Sequence, residues 1–173
     1  PGTYQLVYAA ESIGDAAPAN VSGIADENVV VADSGTMNFG IDAVDVQGAF
    51  TIGGEPAPPS PYDDGLVFLR DLTSGDTVLL GHTSDQNYSV RVLAGEYAVC
   101  YAREASDGLG PVNTNAAVGG VSVMQDDPAL DIDIPSSALS GSYVVDAAGA
   151  PQDESARVVL ERPASADLAI LGP

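Results

Sequence analysis

Apolar and polar residues alternate in short stretches over most of the chain, as in Tyr88-Ser89-Val90-Arg91-Val92. Alternation with a period of two is typical of β-strands that bury one face. No segment keeps apolar residues at the three-and-four spacing of an amphipathic helix for three turns. The pattern therefore predicts an all-β chain built from antiparallel strands with one buried face.

The predicted strands are four to seven residues long, and Gly, Pro, Asn, Asp or Ser bounds each of them. Between strands, Thr73-Ser74-Gly75-Asp76 is typical of a turn with a positive φ at the glycine, and two more hairpin turns are expected at 84–87 and 93–96. We expect loops at the proline-rich segment 55–61 and at the long connections 12–23 and 105–117. The predicted strands are 4–8, 28–31, 37–41, 46–52, 66–70, 77–80, 88–93, 97–101, 121–124, 130–134, 139–145, 157–161 and 168–171.

The sequence also contains an internal repeat of roughly 92 residues. Residues 1–8 match 94–101 at an offset of 93, and a short deletion later changes the offset to 91. A unit of this length suits one seven-stranded sandwich, whereas solenoid repeats are usually shorter. The matched pairs include Pro18 with Pro111, Asn20 with Asn113, Gly48 with Gly141, Val67 with Val158 and Asp76 with Asp167.

These features predict tandem immunoglobulin-like antiparallel β-sandwiches that the chain cuts out of phase. We expect residues 1–43 to be the C-terminal part of a preceding repeat with connecting strands, 44–135 to be one complete sandwich, and 136–173 to be the N-terminal part of the following repeat. Because the chain begins inside the unit, we expect a segment of a longer polypeptide or a processed product.

Residues 46–101 combine turn glycines with alternating strands, as in Val46-x-Gly48-x-Phe50 and in the segment from Tyr88 to Tyr97. This pattern resembles the carboxypeptidase-regulatory-like and Cna B-type domains, which are transthyretin-like members of the immunoglobulin-like sandwiches. The resemblance implies a rod, a stalk or an accessory module of a surface protein or secreted enzyme, and some relatives bind polysaccharide. Cna B-type domains often carry a Lys–Asn isopeptide bond, which a chain without lysine cannot form.

The charge balance excludes several classes of partner. The chain has 25 acidic residues against five arginines and no lysine, for a net charge of −20. Such a surface repels phosphate groups, so nucleic acid and anionic membrane surfaces are excluded as partners. Membrane insertion is not expected either, because no apolar run approaches the ~20 residues of a membrane helix. The acids are spread along the chain, which is typical of a solvated shell in a crowded extracellular protein or a saline habitat.

Four aspartates are the candidate metal ligands: Asp126, Asp127, Asp131 and Asp133. Calcium takes six to eight oxygen ligands, and adjacent acids could supply some of them. The alternative interpretation is a solvated strand face, because the spacing of two puts Asp131 and Asp133 opposite the apolar residues of the same strand. No other cofactor is expected.

Tyr62 is the candidate platform for polysaccharide, because it follows the proline loop and has no aromatic partner in the repeat. The tyrosines at positions 4, 8, 97 and 101 recur at alternating positions, which favours roles in the fold. The sequence also contains two N-glycosylation patterns, which begin at Asn20 and Asn87.

No residue pattern indicates catalysis. The single histidine, His82, is interpreted as a turn or surface residue, and its counterpart in the repeat is Pro173. The single cysteine, Cys100, lies in an alternating segment and is interpreted as a strand residue on either face. None of the usual hydrolase, metalloprotease or dinucleotide-binding motifs occurs.

The sequence thus predicts a non-catalytic structural repeat segment of a secreted or cell-surface protein, such as a fibre, a stalk or an adhesin-like array. Its expected partners are neighbouring copies of the same repeat, with strands at 1–8 or 139–171 completing a sandwich in an adjacent chain or in a further repeat. The alternative is a binding module for polysaccharide or calcium.

Overall fold

The structure is a computed structural model that describes residues 1–10, 17–60, 64–104, 110–127, 129–141, 144–145, 148–149, 158–164 and 167–172. Within these residues the regular elements are all strands, apart from one 3-10 turn at Thr83–Asp85, which confirms the all-β prediction. The strands are β1 Gly2–Ala9, β2 Ser22–Val31, β3 Ala43–Ile52, β4 Glu55–Pro56, β5 Gly65–Asp71, β6 Thr77–His82, β7 Asn87–Leu93, β8 Gly95–Arg103, β9 Ala116–Val123, β10 Ile132–Ile134, β11 Val144–Val145, β12 Ala148–Gly149, β13 Val158–Arg162 and β14 Asp167–Gly172.

Two sheets of four strands form the centre of the molecule. The first has the order β6-β5-β8-β9 and is antiparallel throughout. In the second, β3 pairs with β7 and β4 in antiparallel fashion and with β10 in parallel fashion. Three two-stranded hairpins, β1–β2, β11–β12 and β13–β14, complete the pairing.

The two sheets share one hydrophobic core, to which alternate residues of each strand contribute. In β5, for example, Val67 and Leu69 are fully buried, while their neighbours are half-buried. Phe50 of β3 stacks on Tyr88 of β7 with ring centroids 4.9 Å apart. Two sheets packed on one core are consistent with the β-sandwich class. The largest fully buried side chains are Tyr97, Tyr101, Phe50, Leu69, Ile134, Val46, Val67, Val78 and Val92.

The strand registers recur along the chain. Hairpins β1–β2 and β8–β9 both contain a register shift at the same position, between Leu6 and Val7 and between Val99 and Cys100. Three pairs of one hairpin match three pairs of the other at the offset of 93. These are Leu6–Asp26 with Val99–Gly119, Val7–Ile24 with Cys100–Ala117 and Tyr8–Gly23 with Tyr101–Ala116.

Two further hairpins recur in the same way. Four of the five residue pairs of β13–β14 lie at an offset of 91 from pairs of β5–β6, and the register shift after Val158 matches the one after Val67. The fifth pair, Arg162–Asp167, continues the same register. The two pairs of β11–β12 lie at an offset of 93 from those of β3–β4. Matching registers require matching turns and bulges, so the two parts of the sequence specify the same local geometry.

One of the three predicted hairpin turns is confirmed, and two are wrong: residues 84–87 connect β6 to β7 and residues 93–96 connect β7 to β8, and in both cases the two strands belong to different sheets. Gly75 has a φ of +78° between β5 and β6, as the glycine position predicted. The connection from β6 to β7 consists of the 3-10 turn Thr83–Asp85 followed by Gln86, whose φ is +62°. Part of the proline-rich segment is not a loop, because Glu55–Pro56 pairs with β3 and Ala57 is fully buried.

Two predicted strands differ from the structure. Residues 37–41 form no strand and are exposed, whereas the repeat counterparts 130–134 include β10. In 139–145 the strand is limited to Val144–Val145 among the described residues. Alternation predicts the face that a residue uses, but a strand also needs a neighbour for its backbone hydrogen bonds. Strands β2 and β9 begin earlier than predicted, because their first residues are small or acidic and hide the alternation.

Gly48 of β3 permits a close approach of two backbone segments. A Cβ atom at this position would overlap the carbonyl oxygen of Leu130, which lies two residues before β10 begins. Among the residues that the structure describes, no atom lies within 4 Å of a Cβ atom added at Gly141, its counterpart at the offset of 93. The two glycines thus form a matched pair.

We expect Gly48→Ala to lower the free energy of unfolding by about 1–3 kcal/mol, because the new methyl group must push the segment before β10 away from β3. Gly141→Ala is the control and should change the stability by less than about 0.5 kcal/mol. Urea unfolding of both variants measures the difference. Equal stability of the two variants would contradict the close approach at Gly48.

Candidate functional site

The structure brings the sequence-predicted aspartates to the edge of β3, where a segment ending in β10 runs parallel to it. We call residues 43–54 and 126–134 together the seam. Ile132–Ile134 pair with Phe50–Ile52, and Asp127 forms a parallel bridge with Val46. The backbone hydrogen bonds of the seam are Asp127 N to Asp45 O at 2.9 Å, Gln47 N to Asp127 O at 3.0 Å, Leu130 N to Gln47 O at 3.0 Å and Gly53 N to Ile134 O at 2.9 Å.

Three of the four candidate carboxylates accept hydrogen bonds from β3 or the turn after it. The acceptors are Asp126, Asp131 and Asp133, each through Oδ1. The fourth, Asp127, accepts from the nearby backbone N–H of Ala129 at 3.0 Å. Hydrogen bonds to a carboxylate are stronger than those between neutral groups. The donors are Asp45 N at 2.9 Å for Asp126, Ala49 N at 2.8 Å for Asp131, and Thr51 Oγ1 and Gly54 N, both at 2.8 Å, for Asp133.

The four aspartates do not surround one point. Asp126 lies beside Asp45 and Asp133 beside Thr51, so the two carboxylates are separated by six residues of β3, or roughly 20 Å. One calcium ion binds its oxygen ligands at about 2.3–2.6 Å, so it cannot contact both. The arrangement supports the strand-face interpretation of Asp131 and Asp133, whose neighbours Ile132 and Ile134 are buried on the opposite face. Calcium binding by a subset of the four stays a prediction.

A second cluster joins His82 to two carboxylates that the sequence did not connect with it. His82 Nδ1 lies 2.9 Å from Asp64 Oδ2 and 3.2 Å from Glu104 Oε2, at one end of strands β5, β6 and β8. One ligand atom from each residue lies within 4.8 Å of the others, so the three could contact a divalent cation. Both carboxylates approach the same ring nitrogen of His82, which carries at most one hydrogen, so Nδ1 can donate a full hydrogen bond to only one of them. No local motif indicates the cluster, because its members are brought together by strand pairing.

Asn20 is fully buried and ties the segment before β2 to the central sheets. Its Oδ1 accepts from Leu93 N at 2.8 Å, and its Nδ2 donates to the Tyr97 hydroxyl at 3.3 Å. The glycosylation pattern at Asn20 is therefore inaccessible in the folded chain, whereas Asn87 is exposed at the start of β7. The identity of Asn20 and Asn113 in the repeat was the signal that could have indicated a structural role.

Cys100 and Tyr62 are two further residues that the sequence analysis singled out. Cys100 is buried in β8, as a strand residue, and burial raises the pKa of its thiol although Arg70 acts in the opposite direction. A protonated, buried thiol is unreactive. Tyr62 lies outside the described residues, so the polysaccharide platform stays a prediction.

Comparison with protein-family models, curated protein sequences and solved structures found no match to this chain. Within the described residues, the structure contains no helix that is long and apolar enough to cross a membrane.

Substitution of Asp133 tests whether the seam carboxylates stabilise the fold as hydrogen-bond acceptors. We expect Asp133→Ala to lower the free energy of unfolding by about 1–2 kcal/mol, because Thr51 Oγ1 and Gly54 N lose their acceptor. Asp133→Asn keeps an acceptor oxygen and should lose clearly less. Urea unfolding in the presence of a chelator measures both variants. Equal losses would show that the negative charge of Asp133, and not its acceptor oxygen, stabilises the seam.

Tyr88 makes the seam sensitive to alkaline pH. Its hydroxyl donates to the Leu130 carbonyl at 2.5 Å, and burial, with Asp127 and Asp131 nearby, raises its pKa well above the usual value. An unfolded tyrosine ionises near pH 10, whereas folded Tyr88 stays protonated, so the contribution of Tyr88 to the stability should be fully present below about pH 10 and fall above it. Tyr88→Phe should weaken this fall. Tyr4→Phe, at an exposed position, is the control and should leave it unchanged.

Proposed function

We propose that the chain is a non-catalytic structural repeat segment of a secreted or cell-surface protein of the fibre, stalk or adhesin type. In this proposal, immunoglobulin-like sandwiches of roughly 92 residues follow one another in tandem and carry tension along the chain. The observation that carries the proposal is the parallel seam between the first and last strands of the two central sheets.

The seam has the geometry that resists tension. The chain enters the central sheets at Ala43, the start of β3, and leaves them at Ile134, the end of β10. Because the two strands are parallel, these points lie at opposite ends of the seam, and tension pulls β3 and β10 past each other. All inter-strand bonds are then loaded at the same time, whereas antiparallel terminal strands would separate one bond after another. The hydrogen bonds that the carboxylates of Asp126, Asp131 and Asp133 accept are loaded together with the inter-strand bonds.

The recurring registers support a tandem array. Besides the hairpins, a tyrosine hydrogen bond recurs: the Tyr8 hydroxyl donates to the Pro18 carbonyl at 3.3 Å, and the Tyr101 hydroxyl donates to the Pro111 carbonyl at 3.1 Å. Both partners are related by the offset of 93. The same hydrogen bond at two places that are 93 residues apart favours two copies of one domain type.

The contacts between neighbouring units recur as well. The Ser22 hydroxyl donates to Asp76, the last residue before β6, and Asn115 N donates to the Asp167 carboxylate at 3.1 Å. Ser22 and Asn115 are related by the offset of 93, and Asp76 and Asp167 by the offset of 91. Equivalent positions therefore join each hairpin to the unit that follows it, as a regular array requires.

The charge of the chain suits a crowded array. A net charge of −20 and the absence of lysine give every copy the same sign of surface potential. Like-charged surfaces repel, so copies that are not joined by a specific contact stay apart. This supports a secreted or surface-displayed location, where such proteins are densely packed. A binding module for polysaccharide or calcium stays the second hypothesis, without a contact in the described residues that favours it.

Pulling the full chain by its two ends tests the proposal. We expect one force peak followed by a gain in length of roughly 30 nm, which corresponds to 92 residues, Ala43 to Ile134, in extended form. Replacing the three seam acceptors by alanine, in Asp126→Ala/Asp131→Ala/Asp133→Ala, should lower the peak force.

The matched control is Glu27→Ala/Asp33→Ala/Asp42→Ala, which removes three exposed acids outside the seam and changes the net charge equally. This variant should keep the force peak. Extension without a peak, or an equal effect of the two triple variants, would overturn the proposed mechanical role.

A further inference from the structure

The ends of three neighbouring strands bring one imidazole and two carboxylates together. Asp64 directly precedes β5, His82 is the last residue of β6, and Glu104 directly follows β8. These strands are adjacent, in the order β6-β5-β8. The Glu104 N–H donates to the Asp64 carbonyl at 3.2 Å, which continues the pairing of β5 with β8 beyond Gly65. The backbone pairing therefore fixes the spacing of the three side chains.

Both carboxylates face one nitrogen atom. His82 Nδ1 lies 2.9 Å from Asp64 Oδ2 and 3.2 Å from Glu104 Oε2. Because this nitrogen carries at most one hydrogen, it cannot donate a full hydrogen bond to each acid. Two carboxylates in contact with one atom also repel each other, and a positive charge between them favours the arrangement. A divalent cation would balance both charges and accept an electron pair from all three side chains.

The spacing of the three ligand atoms suits a small tetrahedral cation. Zinc binds nitrogen and oxygen ligands at about 2.0–2.2 Å, so two ligand atoms of a tetrahedral site lie about 3.3–3.6 Å apart. The two measured separations are 2.9 and 3.2 Å, and all three atoms lie within 4.8 Å of one another. Since the Glu104 side chain is 52% exposed, a small rotation of this side chain is enough to complete the geometry.

Groups around the cluster already orient two of the three ligands. Oδ1 of Asp64 accepts from Ser84 N at 3.3 Å and lies 3.5 Å from Thr83 Oγ1, while Oδ2 of the same carboxylate faces His82. The backbone N–H of His82 donates to Asp85 Oδ2 at 3.1 Å. Metal ligands in proteins are commonly held by such outer hydrogen bonds, which fix the direction of the ligand atom.

The mixed set of donor atoms selects the class of cation. Calcium takes six to eight oxygen ligands, whereas an imidazole nitrogen suits zinc and the neighbouring transition metals. Two carboxylates and a neutral imidazole balance the charge of a divalent ion. Three protein ligands leave the fourth tetrahedral position to water. The net charge of −20 also attracts cations to the surface of the chain.

We propose that His82 Nδ1, Asp64 Oδ2 and Glu104 Oε2 bind one divalent transition-metal ion of the zinc type. The ion joins the end of β6 to the points at which the chain enters β5 and leaves β8. This inference goes beyond the proposed function and does not rest on it, because the three strands belong to the sheet that lacks the seam.

Calorimetric titration of the full chain with zinc chloride tests the site, after a chelator has removed bound metal. Sodium chloride at about 0.15 M screens weak binding to the acidic surface. We expect saturation at one ion per chain and an affinity for zinc at least about tenfold higher than for calcium. His82→Ala, which leaves every carboxylate in place, should weaken zinc binding at least about tenfold, and Glu104→Gln should do the same.

Glu27→Gln is the matched control, because it removes the same charge from an exposed position of β2. Glu27 lines a pocket with Asp71 and Glu96, at the other end of β5 and β8. The zinc affinity of this variant should be unchanged. Equal losses in Glu27→Gln and Glu104→Gln would show that zinc responds only to the net charge, and would overturn the proposal.

Three further results would overturn it as well: no saturable zinc binding, full zinc affinity in His82→Ala, or equal affinities for zinc and calcium. None of these results bears on the force peak, which belongs to the seam. A chain that binds no zinc and shows the peak refutes the metal site alone. A chain that binds zinc and shows no peak refutes the mechanical role alone.

Thermal unfolding separates the loss of a ligand from the loss of the fold. At a free zinc concentration about a hundred times the dissociation constant, we expect the melting temperature to rise by at least about 5 °C. His82→Ala should show the circular dichroism of the unsubstituted chain and no such rise. If this variant does not fold, Glu104→Gln, at the most exposed ligand, provides the same comparison. An equal rise in the unsubstituted chain and the folded variant would contradict the site.

Discussion

The parallel pairing of β3 with the segment before and within β10 is the constraint on which the rest of the structure depends. It brings the first and last strands of the central sheets together and closes the core over Phe50 and Ile134. It also explains residues that would otherwise be unremarkable: Gly48 permits the close approach, and Tyr88 bonds the carbonyl of Leu130. A parallel pair needs a long connection, and here the whole central unit is that connection.

The acidic residues have two physical roles that composition does not separate. Most of the 25 acids give the surface its charge, which keeps copies apart in water. Asp126, Asp131 and Asp133 instead supply acceptors to backbone and hydroxyl donors along β3. An edge strand exposes unpaired N–H groups, and a carboxylate can satisfy them where the neighbouring backbone is too far away. The residues selected from the sequence as metal ligands thus have a structural role in the described chain.

Hydrogen-bond geometry recurs at the offset of 93 more clearly than residue identity does. Bulges, hairpin registers and the tyrosine-to-proline-carbonyl bond recur although few residues are identical. Equivalent positions nevertheless differ in burial: Ile132 is buried, and Phe39 is exposed. The same sequence pattern is buried in one segment and exposed in the other, because burial requires a neighbouring strand. Among the described residues, that neighbour is present for β10 and not for residues 37–41.

By itself, the sequence determined the strand class and the turn at Gly75, because these depend on residues close together in the chain. It did not determine the parallel partner of β3, the burial of Asn20 or the cluster around His82. Alternation specifies which face of a strand is apolar, but it carries no information on which strand lies beside it. That choice was made by tertiary packing, in which contacts between residues some eighty positions apart lower the free energy together.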